Sequence, residues 1–217
     1  MPERPAAVRE AQIPLSHYLA RDYDHAGRFA SYWHQIDEVL RTGARRVLEV
    51  GIGNGLVHRY LRHRGVDVVT VDVNPMLEPD ILADVTDLPL RTGGFEVILC
   101  AEVLEHLEFA DVGQALSELR RVARRAVVLF VPDAGRCMRV HIDLPLLGGV
   151  HRVFELPGLW HMKTPWPDHR WELGLNGVGF GRLRSVLDDA GLSIERTYRV
   201  FGMPRHRCIT AHVDGEP

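Results

Sequence analysis

The stretch "RRVLEVGIGNGLVHRYLRHRG", Arg45 through Gly65, constrains this chain more than any other. An apolar run reading as a strand meets glycines at 51, 53 and 55, and a helix-like segment from Leu56 to Arg64 follows, closed by Gly65. In that order each glycine has a task. Gly51 permits the sharp exit from the strand, Gly53 lets a ligand approach the backbone, and Gly55 lets the helix N-terminus pack closely.

The same rhythm continues downstream. "VDVVTVDV", "DILADV", "FEVILCA" and "AVVLFV" read as strands, and Asp111 with Gln114 resembles a capping box opening a helix from Val112 to Arg124. Strands with few polar interruptions, separated by helices, are what a parallel sheet covered on both faces requires. The expected class is therefore α/β, a doubly wound sheet. A helix around Gly181 to Ala190 and two strands, "SIERTYRVFG" and "HRCITAHV", joined through Met203 and Pro204, add a hairpin and an antiparallel edge.

Residues 1–44 read as a loose leader over 1–14 followed by a helix, Gly27 to Arg41, that packs on the core; 45–217 read as the main domain. Within it, residues 133–181 show no clean period and read as a flap or substrate lid at the ligand-binding edge. The chain of 217 residues carries a net charge of −3, so it offers no basic field for nucleic acid, and Arg120 to Arg125 read as a solvated helix end. Three cysteines, Cys100, Cys137 and Cys208, form no CxxC pair, which points to a reducing, cytoplasmic setting. No run of roughly 18 apolar residues predicts a membrane span.

The spacing G-x-G-x-G also selects the ligand. A dinucleotide fingerprint wants its third glycine where this chain has Leu56, and no G-K-[ST] follows for a triphosphate. What remains is a nucleoside-like ligand without a pyrophosphate. Glu49, just before the turn, would repel phosphates and suits a ligand with an amino group and a sulfonium. Asp72 ends the next strand, where an acid accepts both ribose hydroxyls, and Asp84 ends the third, where a carboxylate takes an exocyclic amine.

In "VLEVGIGNG", "VTVDVNP", "ADVTDLPL" and "FEVILCAEVLEHL" the chain resembles four ordered motifs of the class I S-adenosylmethionine-dependent methyltransferases, in the group often called type 11. The resemblance implies a Rossmann-like sheet of order 3-2-1-4-5-7-6 with its last strand antiparallel. It implies S-adenosyl-L-methionine as cofactor and S-adenosyl-L-homocysteine as product. Residue by residue, it implies Glu49, Gly51, Gly53 and Gly55 around the methionine portion, Asp72 with Val73 at the ribose, and Asp84 with Val85 at the adenine. Cys100, Ala101 and Glu102 would line the methionine side.

The resemblance does not name the acceptor, expected to be a small molecule or peptide. His106 is the first catalytic candidate, since it lies four residues after Glu102 and a helix would put both on one face. Asp168 and His169, in "WPDHRWELG", are next, on the expected flap. Tyr18 and Tyr23 offer closure from the N-terminal side. Trp160, Trp166 and Trp171 read as core or lid packing. His58 with His63, and His161 with His169, lack the i, i+4 spacing of helical metal sites, so no metal is expected. A nicotinamide-dependent dehydrogenase and a non-catalytic cofactor-binding module are the competing readings.

Overall fold

The computed structural model describes residues 10–144, 148–156 and 166–215. Its centre is a seven-stranded sheet in the order β3-β2-β1-β4-β5-β9-β8. The strands are β1 (Arg46–Val50), β2 (Asp67–Asp72), β3 (Ile81–Leu82), β4 (Phe95–Ala101), β5 (Ala123–Pro132), β8 (Leu192–Val200) and β9 (Met203–Val213). Strands β1 to β5 pair in parallel, and β9 runs antiparallel between β5 and β8. This is the Rossmann-like methyltransferase order that the motifs implied, with the hairpin at the expected edge.

Alternation of side chains along each strand divides the core between the two faces. Val47, Val97, Leu99 and Phe130 pack with Tyr32, Val39, Val57 and Leu61 of helices α2 (Ala26–Arg41) and α3 (Leu56–His63). Leu48, Ile98, Val127 and Leu129 face Leu116, Leu119, Leu183 and Leu187 of α4 (Val112–Val122) and α5 (Phe180–Asp189). Burial on both faces explains why β4 and β5 read as near-continuous apolar runs. Each such side chain contributes roughly 1.5–3 kcal/mol on leaving water.

Several local expectations are corrected. Asp111 makes no side-chain cap to α4, and Gln114 Nε2 instead donates to the Thr86 carbonyl at 3.0 Å, tying the helix to the loop after β3. The turn between β8 and β9 lies at Phe201 and Gly202, with Met203 and Pro204 already inside β9. The expected aperiodic flap contains a regular hairpin, β6 (Cys137–Leu144) with β7 (Gly148–Glu155), forming its own two-stranded sheet. The alternation Met138-Arg-Val140-His-Ile142-Asp was the overlooked signal, period two in a stretch also crowded with glycine and proline. Trp160 and His161 lie outside the described residues. No helix among the described residues is long and apolar enough to cross a membrane.

The N-terminal segment is not a loose leader where it is described. Asn74 Nδ2 donates to the Ile13 carbonyl at 2.7 Å, and a one-turn helix α1 (Leu15–Tyr18) brings His17, Tyr18 and Tyr23 into edge-to-face contact at centroid distances of 5.2–5.4 Å.

Candidate active site

Sheet order reverses between β1 and β4, and the crevice outside the carboxyl ends of such strands is where doubly wound sheets bind ligands. A cavity of about 340 Å³ opens there, lined from β1, β2 and β4, from the N-terminal segment, and from residues 166–169 and 203–206. Its size suits a small ligand.

One half is built from the strand ends. Gly51 and Gly53 hold φ of +81° and +49°, a region that side chains with a Cβ avoid. A Cβ on Gly51 would meet Val103 Cγ2 at 2.2 Å, whereas one on Gly53 would point into the gap below Tyr18 and Tyr23, 3.7–3.8 Å away. Asp72 ties the turn to β2, because Oδ2 accepts from Ile52 N–H and Oδ1 from Asn74 N–H, both at 2.9 Å. Burial raises its carboxyl above the usual range against those hydrogen bonds. Asp84 Oδ1 accepts from Thr86 N–H and Thr86 Oγ1 at 2.9 and 2.7 Å, which fixes the loop after β3.

Glu49 is 4% exposed and faces the cavity. Arg46 pairs with Asp67 at 3.1 Å, and Arg45 N–H donates to Glu96 Oε2 at 3.0 Å. The His58 imidazole lies beside Glu49, with Nδ1 3.4 Å from Oε2, and among the described residues neither of these two atoms makes a well-formed hydrogen bond. Burial pushes the Glu49 carboxyl upward. A buried carboxylate facing a cavity costs free energy that an ammonium ligand would recover. The buried Glu49, the open space at Gly53 and the acid at Asp72 together fit a nucleoside that carries an amino acid.

The other half is assembled from remote segments. Glu102 adopts φ of +55°, an uncommon conformation for a non-glycine residue, and turns into the cavity. Burial and the neighbouring Glu105 hold its carboxyl well above the usual range. Glu102 Oε2 lies 3.3 Å from Nε2 of His206, whose Nδ1 is 3.0 Å from Ser31 Oγ. Burial, with Arg28 nearby, pulls His206 down to about 3, so its ring is neutral. Arg28 stacks over Tyr23 at 4.0 Å.

His106 ends a three-residue 3₁₀ turn, Leu104–His106, so the expected helical face shared with Glu102 does not exist. Both reach the cavity because the chain turns sharply at Glu102. His106 Nδ1 lies 3.2 Å from Glu10 Oε1 and 3.3 Å from the Asp168 carbonyl. Burial alone would lower its basicity, but the bond to Glu10 and the charge of Glu105 raise it to about 9. His169 Nδ1 lies 2.9 Å from Glu172 Oε1, and the two histidine rings meet edge to face at 5.4 Å.

Residues 48–131 match the family model described as "Methyltransferase domain". That segment thus belongs to the methyltransferase-domain family. Over 101 residues it is 31% identical to the magnesium-protoporphyrin O-methyltransferase of Rhodobacter capsulatus, covering 40% of this chain and 44% of that protein. Over 99 residues it is 34% identical to an uncharacterized methyltransferase of Mycobacterium tuberculosis, covering 41% and 40%. The chain thus spans under half the length of these curated relatives. Magnesium protoporphyrin IX methyltransferase from Synechocystis PCC 6803, solved with bound S-adenosylmethionine, shares the fold at a TM-score of 0.64 and 14% identity, with 98% and 99% of the two chains covered. Burkholderia thailandensis 1,6-didemethyltoxoflavin-N1-methyltransferase, solved with its named substrate and S-adenosylhomocysteine, gives 0.57 at 16% identity, covering 88% and 80%.

Of the expected site residues, Glu49, Gly51, Gly53, Asp72, Val73, Asp84, Val85, Ala101, Glu102 and His106, within the matched segment, line one cavity with Asp168 and His169. Two expected residues do not. Cys100 alternates away from the cavity and is 1% exposed in the core, while Gly55 serves the turn into α3 at φ +74°. Asp168 has an exposed side chain and meets His106 through its backbone carbonyl, which weakens its case as a proton donor. The hairpin β6–β7 does not line the cavity; of the described flap residues only Trp166, Asp168 and His169 do. Trp171 is core, 1% exposed, donating from Nε1 to the Leu104 carbonyl. Sequence reasoning missed Glu10, Arg28, Glu105 and His206. Glu105 was legible beside His106 in "AEVLEHL"; the others come from chain ends that only the fold brings near.

Proposed function

We propose that this methyltransferase domain binds S-adenosylmethionine across the Gly51–Gly55 turn and methylates a small-molecule acceptor. The observation that carries the reading is the buried Glu49 carboxyl, facing the same cavity as Asp72 with the His58 imidazole beside it. Glu49 would hold the amino group, Asp72 the ribose hydroxyls, and the Asp84–Val85 loop the adenine. When bound, S-adenosylmethionine supplies a methyl group on a positively charged sulfur, ready for in-line displacement.

The chain then has to position the acceptor and exclude water, which carries most of the acceleration for such a displacement. Tyr18 and Tyr23 close the cavity over the glycine turn, and Trp166 and His169 bound the opposite side. Glu102, His106 and His169 are the groups able to orient a polar acceptor or exchange a proton with it. A small acceptor is supported by the cavity's volume and by the porphyrin and toxoflavin substrates in the names of similar proteins. Leu56, where a pyrophosphate turn needs glycine, speaks against the dehydrogenase reading. The test is incubation with labelled S-adenosylmethionine and a small-molecule extract, read by mass spectrometry. Label in a small product supports the reading; saturable S-adenosylhomocysteine binding with label only in macromolecules would overturn the acceptor class.

A further inference from the structure

Deep in the acceptor half, Glu105, His106 and His169 each present one ligand atom within 4.8 Å of the other two. Their surroundings prepare both histidines in the same way. His169 has Nδ1 committed to Glu172, which is itself held by Trp166 N–H at 2.8 Å and Arg205 Nη2 at 3.1 Å. Its Nε2 is thereby left facing Glu105 Oε1 at 4.0 Å. His106 has Nδ1 against Glu10 Oε1 and the Asp168 carbonyl, which leaves Nε2. A carboxylate on the far nitrogen of each ring is the outer-shell arrangement that fixes a metal-binding imidazole in the correct tautomer. Glu105, for its part, is 0% exposed, and neither carboxylate oxygen has a hydrogen-bond partner. A buried carboxylate beside two imidazoles is a donor set that a bound cation would satisfy.

We propose that Glu105, His106 and His169 form a two-histidine, one-carboxylate site for a divalent transition-metal ion at the acceptor end of the cavity. Two imidazoles and one carboxylate suit Mn(II), Fe(II), Co(II) or Zn(II) and disfavour Mg(II) and Ca(II), which prefer all-oxygen cages. Bonds of about 2.0–2.1 Å need ligand atoms about 3.3 Å apart, which side-chain rotation of about 1 Å supplies. Three protein ligands leave positions open towards the cavity, where the ion would take an oxygen of the acceptor, a hydroxyl or carboxylate. That last assignment rests on the methyl-transfer reading; the site itself does not.

His141, Asp143 and His151 on the hairpin form a second group with similar donors, but all three are exposed, and His141 Nε2 already meets Asp143 Oδ1 at 3.0 Å. The test must therefore remove it. Metal-stripped protein carrying His141→Ala and His151→Ala is titrated with Co(II), followed by calorimetry and visible absorption. The proposal expects one equivalent bound at micromolar affinity or tighter, weakened at least 100-fold by Glu105→Gln or His169→Ala. Circular dichroism checks that each variant folds. If a variant does not, paramagnetic shifts of the His106 and His169 ring protons in the parent protein give the answer without it. No saturable Co(II) binding, or binding unmoved by both substitutions with no shifted histidine signals, would overturn the site. Co(II) binding without S-adenosylhomocysteine binding would support the site and overturn the methyl-transfer reading.

Discussion

The two halves of the cavity are built in opposite ways. The half holding Glu49, Gly51, Gly53, Asp72 and Asp84 comes from successive strand ends, each set by its own few residues of chain. The half holding Glu10, Arg28, Glu102, Glu105, His106, His169 and His206 joins the loop after β4 to segments near both ends of the sequence, which meet only because the sheet folds. The first half is shaped by backbone and carries few alternatives. The second depends on side-chain hydrogen bonds between remote segments, such as Ser31 to His206 and His106 to Glu10. Ligand affinity should therefore reside in the first half and turnover in the second, and substitutions can separate them.

The largest separation is expected at Gly53. Valine there needs a left-handed backbone that costs about 1–2 kcal/mol and fills the space under Tyr18 and Tyr23, so S-adenosylhomocysteine binding should fall below detection in calorimetry while circular dichroism keeps its folded form. Loss of the fold would make the glycine structural alone. Next, Asp72→Ala should weaken that binding by roughly 1.5–3 kcal/mol, since a charged acceptor for two hydroxyls is removed. Unchanged affinity would put the ribose elsewhere.

The first half was legible in the sequence because its determinants are local: spacing of glycines, an acid at each strand end, and apolar runs long enough to declare buried strands. Gly55 and Cys100, expected at the ligand, do not line the cavity, for an equally local reason. Position along the motif was visible, but which way each residue turned was not, and strand alternation sends Cys100 into the core. The second half was legible only where a residue stood beside a motif, as His106 did. Nothing in the spacing of Arg28 or His206 announces that a sheet will bring them to Glu102. The hairpin β6–β7 was missed because turn residues around it outweighed a short period-two pattern.

Smaller effects sharpen the boundary. His169→Ala should lower turnover about tenfold or more while S-adenosylhomocysteine affinity stays within about a factor of three, a split measured by steady-state kinetics beside calorimetry. Equal losses would mean that His169 also supports the cofactor half. His206 gives a pH signature of the remote half. Its folded value near 3 lies below the ordinary histidine value of about 6.5, so unfolding takes up a proton between those limits. Its contribution to stability is complete above about pH 6.5 and is lost as pH falls towards 3. His206→Gln should flatten the fall of denaturation free energy over pH 6 to 5 by up to about 1 kcal/mol per pH unit. An unchanged slope would mean that the ring is already charged in the folded protein.

The central claim is that the glycine turn, Glu49 and Asp72 form one site for a nucleoside that carries an amino acid and no pyrophosphate. Calorimetric titration of the full chain with S-adenosylhomocysteine and, in parallel, with a nicotinamide dinucleotide tests it most directly. Saturable one-to-one binding of S-adenosylhomocysteine, sharply weakened by Glu49→Gln, with no heat from the dinucleotide, is the predicted result; saturable dinucleotide binding with none of S-adenosylhomocysteine would contradict it.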